Sequence, residues 1–239
     1  MDHRIVAMGL SSELETEVEG ILRVRWQSRE GRVVPETENL SLGNDAVRLN
    51  GAVLYADLVD STGLVQCKSP AFAAEIYKCF LHCASKIIKK YGGVITAFDG
   101  DRVMAVYIGD RMNSNAVRSA FAINHAVTRI INPRIESRYP NEKYSVRHAV
   151  GIDTSSLLVA KTGIRRYNDL VWVGAAANIA AKLCALRNKN YCSWITEGVY
   201  KRLGRDMSVS QSGFNMWERC TWSDNGMIVY RSNWWWAAE

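Results

Sequence analysis

The order of elements along residues 52–152, strand, helix, strand, strand, helix, strand, predicts an α+β fold with a ferredoxin-like βαββαβ core, continued by a C-terminal hairpin, helix and strand. Apolar residues at helical spacing fill two long stretches, and short apolar runs flank an Asp-Gly-Asp turn. A glycine pair and a proline stand where the two helices should stop. With 239 residues, 48% of them hydrophobic, the chain can bury a sizeable core.

Residues 11–28 read as a polar, helix-compatible extension with Leu14, Val18, Ile21 and Leu22 on one side. Gly31, Pro35, Asn39, Gly43 and Asn50 then predict turns over 29–50, so residues 1–49 form a helical and irregular N-terminal extension. The apolar run 52–57 is the first core strand. Pro70 sits near the start of a helix reaching about Tyr91, with Phe72, Ile76, Cys79, Phe80, Cys83 and Ile87 on its buried face. Gly92 and Gly93 stop it. Strands at 94–98 and 102–108 flank the turn Asp99-Gly100-Asp101, where glycine accepts dihedrals a side chain resists. A second helix spans 114–131, carrying Val117, Phe121, Asn124, Val127 and Ile131, and Pro133 is expected to end it. Residues 145–152 supply the fourth strand. Both helices can cover one face of the sheet, leaving the other to a ligand or partner.

Residues 156–160 and 170–173 make a hairpin around Gly163, Arg165, Arg166 and Asn168. Gly174 and three alanines lead into a helix with Asn178, Lys182, Leu183 and Leu186, and 191–196 closes a central unit over 50–200. Asn178 and Lys182 lie four apart and share one helical face, so both can reach one ligand. Residues 201–239 form an extension expected to pack on that unit or on a dimer partner. Within it Asp224-Asn225-Gly226 signals a hairpin, and Met227 leads a strand to Tyr230. Trp234, Trp235 and Trp236 cannot all point inward if extended, so at least one should meet a partner chain or the N-terminal region.

The formal charge of +6 suits anionic partners, but the basic residues form no sustained stripe, which favours a small nucleotide over nucleic acid. Six cysteines and four histidines are scattered without metal-ligand spacing. No stretch is apolar enough for stable membrane insertion and the N-terminus lacks a secretory pattern, so a cytoplasmic location is expected.

Asp57 ends the first strand and Asp101 lies in the turn between the next two. Carboxylates at neighbouring strand exits repel unless a cation lies between them, and such hard oxygen ligands suit Mg2+ or Mn2+. The following turn, Leu58, Val59, Asp60, Ser61, Thr62 and Gly63, can offer backbone amides to phosphate oxygens, with Ser61 or Thr62 adding a hydroxyl. Asp60 has two readings, a third ligand through water or a solvent-facing helix cap. The cap is preferred, because a spare carboxylate beside a triphosphate is repulsive. His148 is expected to face solvent or pack locally, with no role in proton transfer.

The segments AVLYADLVDSTGL, YGGVITAFDGDRVMAVY, HAVGIDTSSLLVAKTG and VWVGAAANIAAKL, in this order over about residues 50–196, resemble the class III nucleotidyl cyclase catalytic domain. The resemblance implies a homodimer with composite active sites in the cleft between two catalytic domains. Asp57 and Asp101 match its metal-binding aspartates, and the backbone of 58–62 its phosphate turn. Asn178 matches the asparagine that orients ribose and triphosphate. Lys182 stands where the family usually has arginine, supplying charge without the planar fork. At the family's two base-selecting positions stand Ala97 and Val171, which offer no hydrogen bond to a base edge. Trp172 beside them can fill space.

This pattern looks like the bacterial pyrimidine cyclases of antiphage signalling. It implies conversion of UTP to 3′,5′-cyclic UMP and pyrophosphate, producing a messenger for a separately encoded effector. CTP is the near alternative, followed by a purine nucleotide. A template-directed polymerase and a noncatalytic nucleotide sensor remain as other classes.

Overall fold

The structure, a computed structural model, describes residues 9–237. In chain order the strands are β1 (Gln27–Glu30), β2 (Asp45–Leu58), β3 (Val94–Asp99), β4 (Arg102–Tyr107), β5 (His148–Ile164), β6 (Tyr167–Val173), β7 (Ser193–Thr196), β8 (Glu218–Thr221) and β9 (Ile228–Ser232). The helices are α1 (Leu10–Arg23), α2 (Ser61–Cys67), α3 (Pro70–Lys90), α4 (Met112–His125), α5 (Asn132–Arg138), α6 (Ala175–Cys184), α7 (Glu197–Tyr200) and α8 (Arg205–Ser208). The sheet runs β3-β4-β2-β5-β7-β9-β8, with β6 paired to β5 and β1 to β2. Its β3-β4-β2-β5 portion, with α3 and α4 as crossovers, is the expected βαββαβ core; β1 on β2 and β7 on β5 are parallel, so the sheet is mixed.

The alternation of β2 sorts the two faces. Ala52, Leu54, Ala56 and Leu58 point into the large core with Phe72, Ile76, Phe80 and Ile88 of α3 and Val117, Phe121 and Ile123 of α4. Val47, Leu49 and Val53 point to the opposite face and meet Met104, Val106, Leu157 and the alanines Ala176, Ala177 and Ala180 of α6. That second face is covered by small residues on one helix, and Asp57 continues its side of the strand.

Several expected boundaries shift for identifiable reasons. The first core strand starts at Asp45, because Asn50, expected in a turn, pairs with Ser156 of β5; at the neighbouring Gly51 a Cβ would lie 3.1 Å from Val106 and 3.2 Å from Leu157, so glycine permits close packing inside the sheet. Gln27–Glu30, expected as helix and turn, pairs with the start of β2. The expected strands 145–152 and 156–160 are one strand, β5, paired to β2 from Ala46↔Ala160 to Leu58↔His148. Pro133 does not end the second helix. The backbone passes through a π-helical turn, Ala126–Ile131, and Pro133 enters the first turn of α5, where its missing N–H interrupts no ladder. On α3 the inward face runs through Ala73, Ala84 and Ile88, while Cys79 is exposed and Cys83 half-buried.

The helix stop at Gly92-Gly93 stands: Gly92 has φ 78°, and a Cβ on Gly93 would come within 2.5 Å of the Tyr107 ring. The C-terminal residues close onto α4, where Asn124 Nδ2 donates to the carbonyls of Asn233 and Trp234, both at 3.0 Å. Trp234 and Trp236 pack on the large core, and Trp235 lies against His125 and Arg129. The tryptophans therefore meet α4 and the π-helical turn. The helix α1 buries none of its residues, leaving Leu14, Val18, Ile21 and Leu22 exposed. No helix among the described residues is long and apolar enough to cross a membrane.

Candidate active site

Register brings the two aspartates together. Ala56 pairs with Val103, so Asp57 lies level with the β3–β4 turn that carries Asp101, and Gly100 takes φ 61° in that turn. The charge of Asp101 reaches Asp57. Burial pushes the Asp57 carboxyl above its ordinary range, a hydrogen bond from Arg187 pulls it down, and Asp101 pushes it up again. Asp101 Oδ2 is buried without a hydrogen-bond partner. An orphaned carboxylate oxygen beside a second carboxylate is what a cation would satisfy, so the donor set fits Mg2+ or Mn2+. Among the described residues no third acidic, cysteine or histidine ligand joins them, leaving the remaining positions to water and phosphate oxygens.

After Asp57 the chain turns sharply. Asp60 has φ 65°, a left-handed conformation that aspartate tolerates better than most side chains, and stands at the N-cap of α2. It caps by position only, since its side chain makes no capping hydrogen bond. Its carboxylate overhangs Gly63, where a Cβ would lie 2.7 Å from Oδ1. Leu58 and Val59 are buried and contribute backbone alone, and the Val59 amide already donates to the Arg147 carbonyl at 2.8 Å. The amides of Ser61 and Thr62, in the first turn of α2, have no acceptor inside the helix.

Val59, Asp60, Ser61 and Thr62 line a cleft of about 450 Å³ together with Arg147, Arg187, Asn188 and Lys189. The three cations were not picked out from sequence. Arg187 Nη2 donates to Asp57 Oδ2 at 2.9 Å and Nη1 to the Cys184 carbonyl at 3.2 Å. The signal for them was present in the basic LRNKN segment after the Asn178 helix and in Arg147, just ahead of β5. Each sat outside the regular elements, where spacing carries no facing information.

The helix α6 crosses the second face over Gly151, where a Cβ would lie 2.2 Å from the Ala180 carbonyl oxygen, and Ser155 Oγ accepts from the Ala176 amide at 3.0 Å. The close seat buries the alanines and turns Asn178 and Lys182 outward to solvent. The fold therefore keeps this pair together, and neither touches Asp57 or Asp101 within one protomer. Ala97 and Trp172 both pack against the small-residue cluster of the second face. Val171 alternates to the outer side of β6 and is 39% exposed.

His148 is buried 6.2 Å from Phe80, ring centre to ring centre, and burial pulls its pKa down to about 4. Of its two expected placements, local packing is the one found. Asp153 is also buried, accepting a hydrogen bond from Thr196 Oγ1 at 2.5 Å, and burial raises its pKa.

No family profile matches the chain. It is 49% identical to a uridylate cyclase of Xanthomonas perforans, over 97% of this chain and 100% of that one. With a uridylate cyclase of Burkholderia cepacia the identity is 46%, over 96% of this chain and 100% of the relative. Among solved structures, a bacterial light-regulated adenylyl cyclase superposes with a TM-score of 0.67 at 21% identity, over 80% of this chain and 54% of that one. The last of these likenesses concerns the fold.

Proposed function

The chain belongs to the uridylate cyclase family, nucleotide cyclases with the class III fold, and from that premise we propose that it converts UTP to 3′,5′-cyclic UMP and pyrophosphate. The observation that carries the reading is the Asp57/Asp101 pair, with its orphaned oxygen, joined through Arg187 to a cation-lined cleft that includes Ser61 and Thr62.

Asp57 and Asp101 would hold Mg2+ or Mn2+. The cation would supply Lewis-acid stabilisation of negative charge on the triphosphate and a lowered pKa for the ribose 3′-hydroxyl. The amides of Ser61 and Thr62 and the cations of Arg147 and Lys189 would draw the β- and γ-phosphates into the cleft, aligning the α-phosphorus for in-line attack. Asn178 and Lys182, outward-facing and with no hydrogen bond or ion pair to their own Asp57, suit a second copy's site; the partner's pair would orient the ribose and neutralise charge on the leaving pyrophosphate. The working enzyme is then a homodimer with composite active sites. Ala97 and Trp172, which share the second face, would form an apolar wall for the base without purine-reading polar groups, with Val171 on the other side of β6. The product would serve as a messenger to a separate effector in antiviral defence, in the cytoplasm.

Each nucleoside triphosphate is incubated separately with the protein and Mn2+, and products are identified by mass spectrometry. Cyclic UMP with pyrophosphate is expected. Cyclic CMP alone would move the assignment to the other pyrimidine, and tight binding without turnover would replace the enzyme by a sensor. Mixing Asp57→Ala and Asn178→Ala subunits should restore one intact site per mixed dimer. No recovery in verified mixed dimers would end the interchain arrangement.

A further inference from the structure

Arg187 serves two neighbourhoods at once. Through Nη2 it holds Asp57, and through Nη1 the carbonyl end of α6, while its side chain also walls the cleft next to Ser61 and Thr62. We propose that Arg187 is a phosphate-binding residue that, in the substrate-free protein, stands in the cation's place beside Asp57. Divalent cation and triphosphate then enter together, displacing the guanidinium from Asp57 into the cleft. The inference rests on the metal-and-triphosphate reading of that cleft.

The Asp57 side chain is only 15% exposed, so its charged form needs a counterion, and the Arg187 hydrogen bond is the strongest influence favouring that form. A guanidinium does not lose its proton, so it cannot yield by titration; it yields by moving. A divalent cation seated between Asp57 and Asp101 would repel it at close range. The place it would move to is adjacent. Arg147 and Lys189 line the same cleft without a carboxylate partner among the described residues, and Asp60 is the one acidic residue there. An arginine fork matches two phosphate oxygens better than either lysine or a backbone amide does. Arg187 would thus disfavour cation alone, favour triphosphate, and make the two bind cooperatively.

The test uses the full chain without turnover. Mn2+ binding is followed by the electron paramagnetic resonance of free Mn2+, and inorganic tripolyphosphate binding by calorimetry with Mn2+ present, so neither readout depends on the base. In Arg187→Ala, Mn2+ alone should bind about fivefold tighter and tripolyphosphate about tenfold weaker. Arg187→Lys should recover only part of the tripolyphosphate affinity, since it restores the charge without the fork. Affinities that stay unchanged, or that fall together in both variants, would make Arg187 a brace for the loop and overturn the proposal. Wild-type protein that takes up neither Mn2+ nor tripolyphosphate would sink the reading of the cleft itself, and the proposal with it.

Discussion

The two faces of the sheet are built from the same strands and solve opposite problems. On one, Phe80 and Phe121 are fully buried by α3 and α4, with Ile76, Ile88 and Tyr107 around them. On the other, one helix of alanines lies so close that only a glycine fits beneath it, and charged groups occupy the strand end. The first face spends its apolar area on stability, at roughly 25 cal/mol for each Å² removed from water. The second leaves room. Its carboxylates, orphaned oxygen and outward Asn178 and Lys182 make sense only once something else arrives.

Four substitutions would sharpen or break this division. Asp101→Asn, on the open face, should lower cyclic nucleotide formation about a thousandfold or more while circular dichroism and melting stay close to wild type. A large loss of stability instead would place Asp101 among the structural residues. Phe80→Ala, on the closed face, should cost about 4 kcal/mol in denaturant unfolding yet leave turnover per folded molecule within about twofold. His148 gives the closed face a pH signature. Its folded pKa, about 4, lies below the ordinary 6.5, so the unfolded chain takes up the proton first as pH falls. Stability should therefore be complete above about pH 6.5, decline by about 3 kcal/mol between there and pH 4, and His148→Leu should flatten that stretch of the curve. Gly151→Ala tests the seam between the faces. The new Cβ meets the Ala180 carbonyl and should cost about 2 kcal/mol while shifting α6 enough to reduce turnover about tenfold. Stability and turnover both unchanged would mean that α6 is not held where Gly151 suggests.

Much of this architecture can be read before any coordinates, and the exceptions follow a rule. The βαββαβ order and the buried positions Phe72, Ile76, Phe80, Val117 and Phe121 follow from periodicity, because one side of each helix must be dry. Asn50 and Pro133 mislead. Their usual roles as breakers were overridden, in one case by the long pairing of β2 with β5, where Asn50 lies opposite Ser156, and in the other by a π-helical turn that had already altered the hydrogen-bond ladder. At the site, Asp57 and Asp101 stand out because carboxylates at strand exits carry their meaning locally. Arg187 does not, since its significance lies in an ion pair to a residue 130 positions away, formed from an irregular segment. Val171 and Trp172 differ only in which side of β6 they take, a matter of register that no composition reveals.

One unbroken strand, β5, begins at His148, next to the end of β2 that carries Asp57, and ends at Ile164 beside a two-residue turn. At about 3.3 Å per residue it is a rod on the order of 50 Å long. Its far end stands in solvent, with Ile164 and Tyr167 exposed and Arg166 in a left-handed turn. For an engineer this is a handle: a reporter or ligand-sensing domain spliced between Arg165 and Arg166 would sit well away from the cleft. Tension applied there would still travel along a single pleated strand to the residues flanking Asp57.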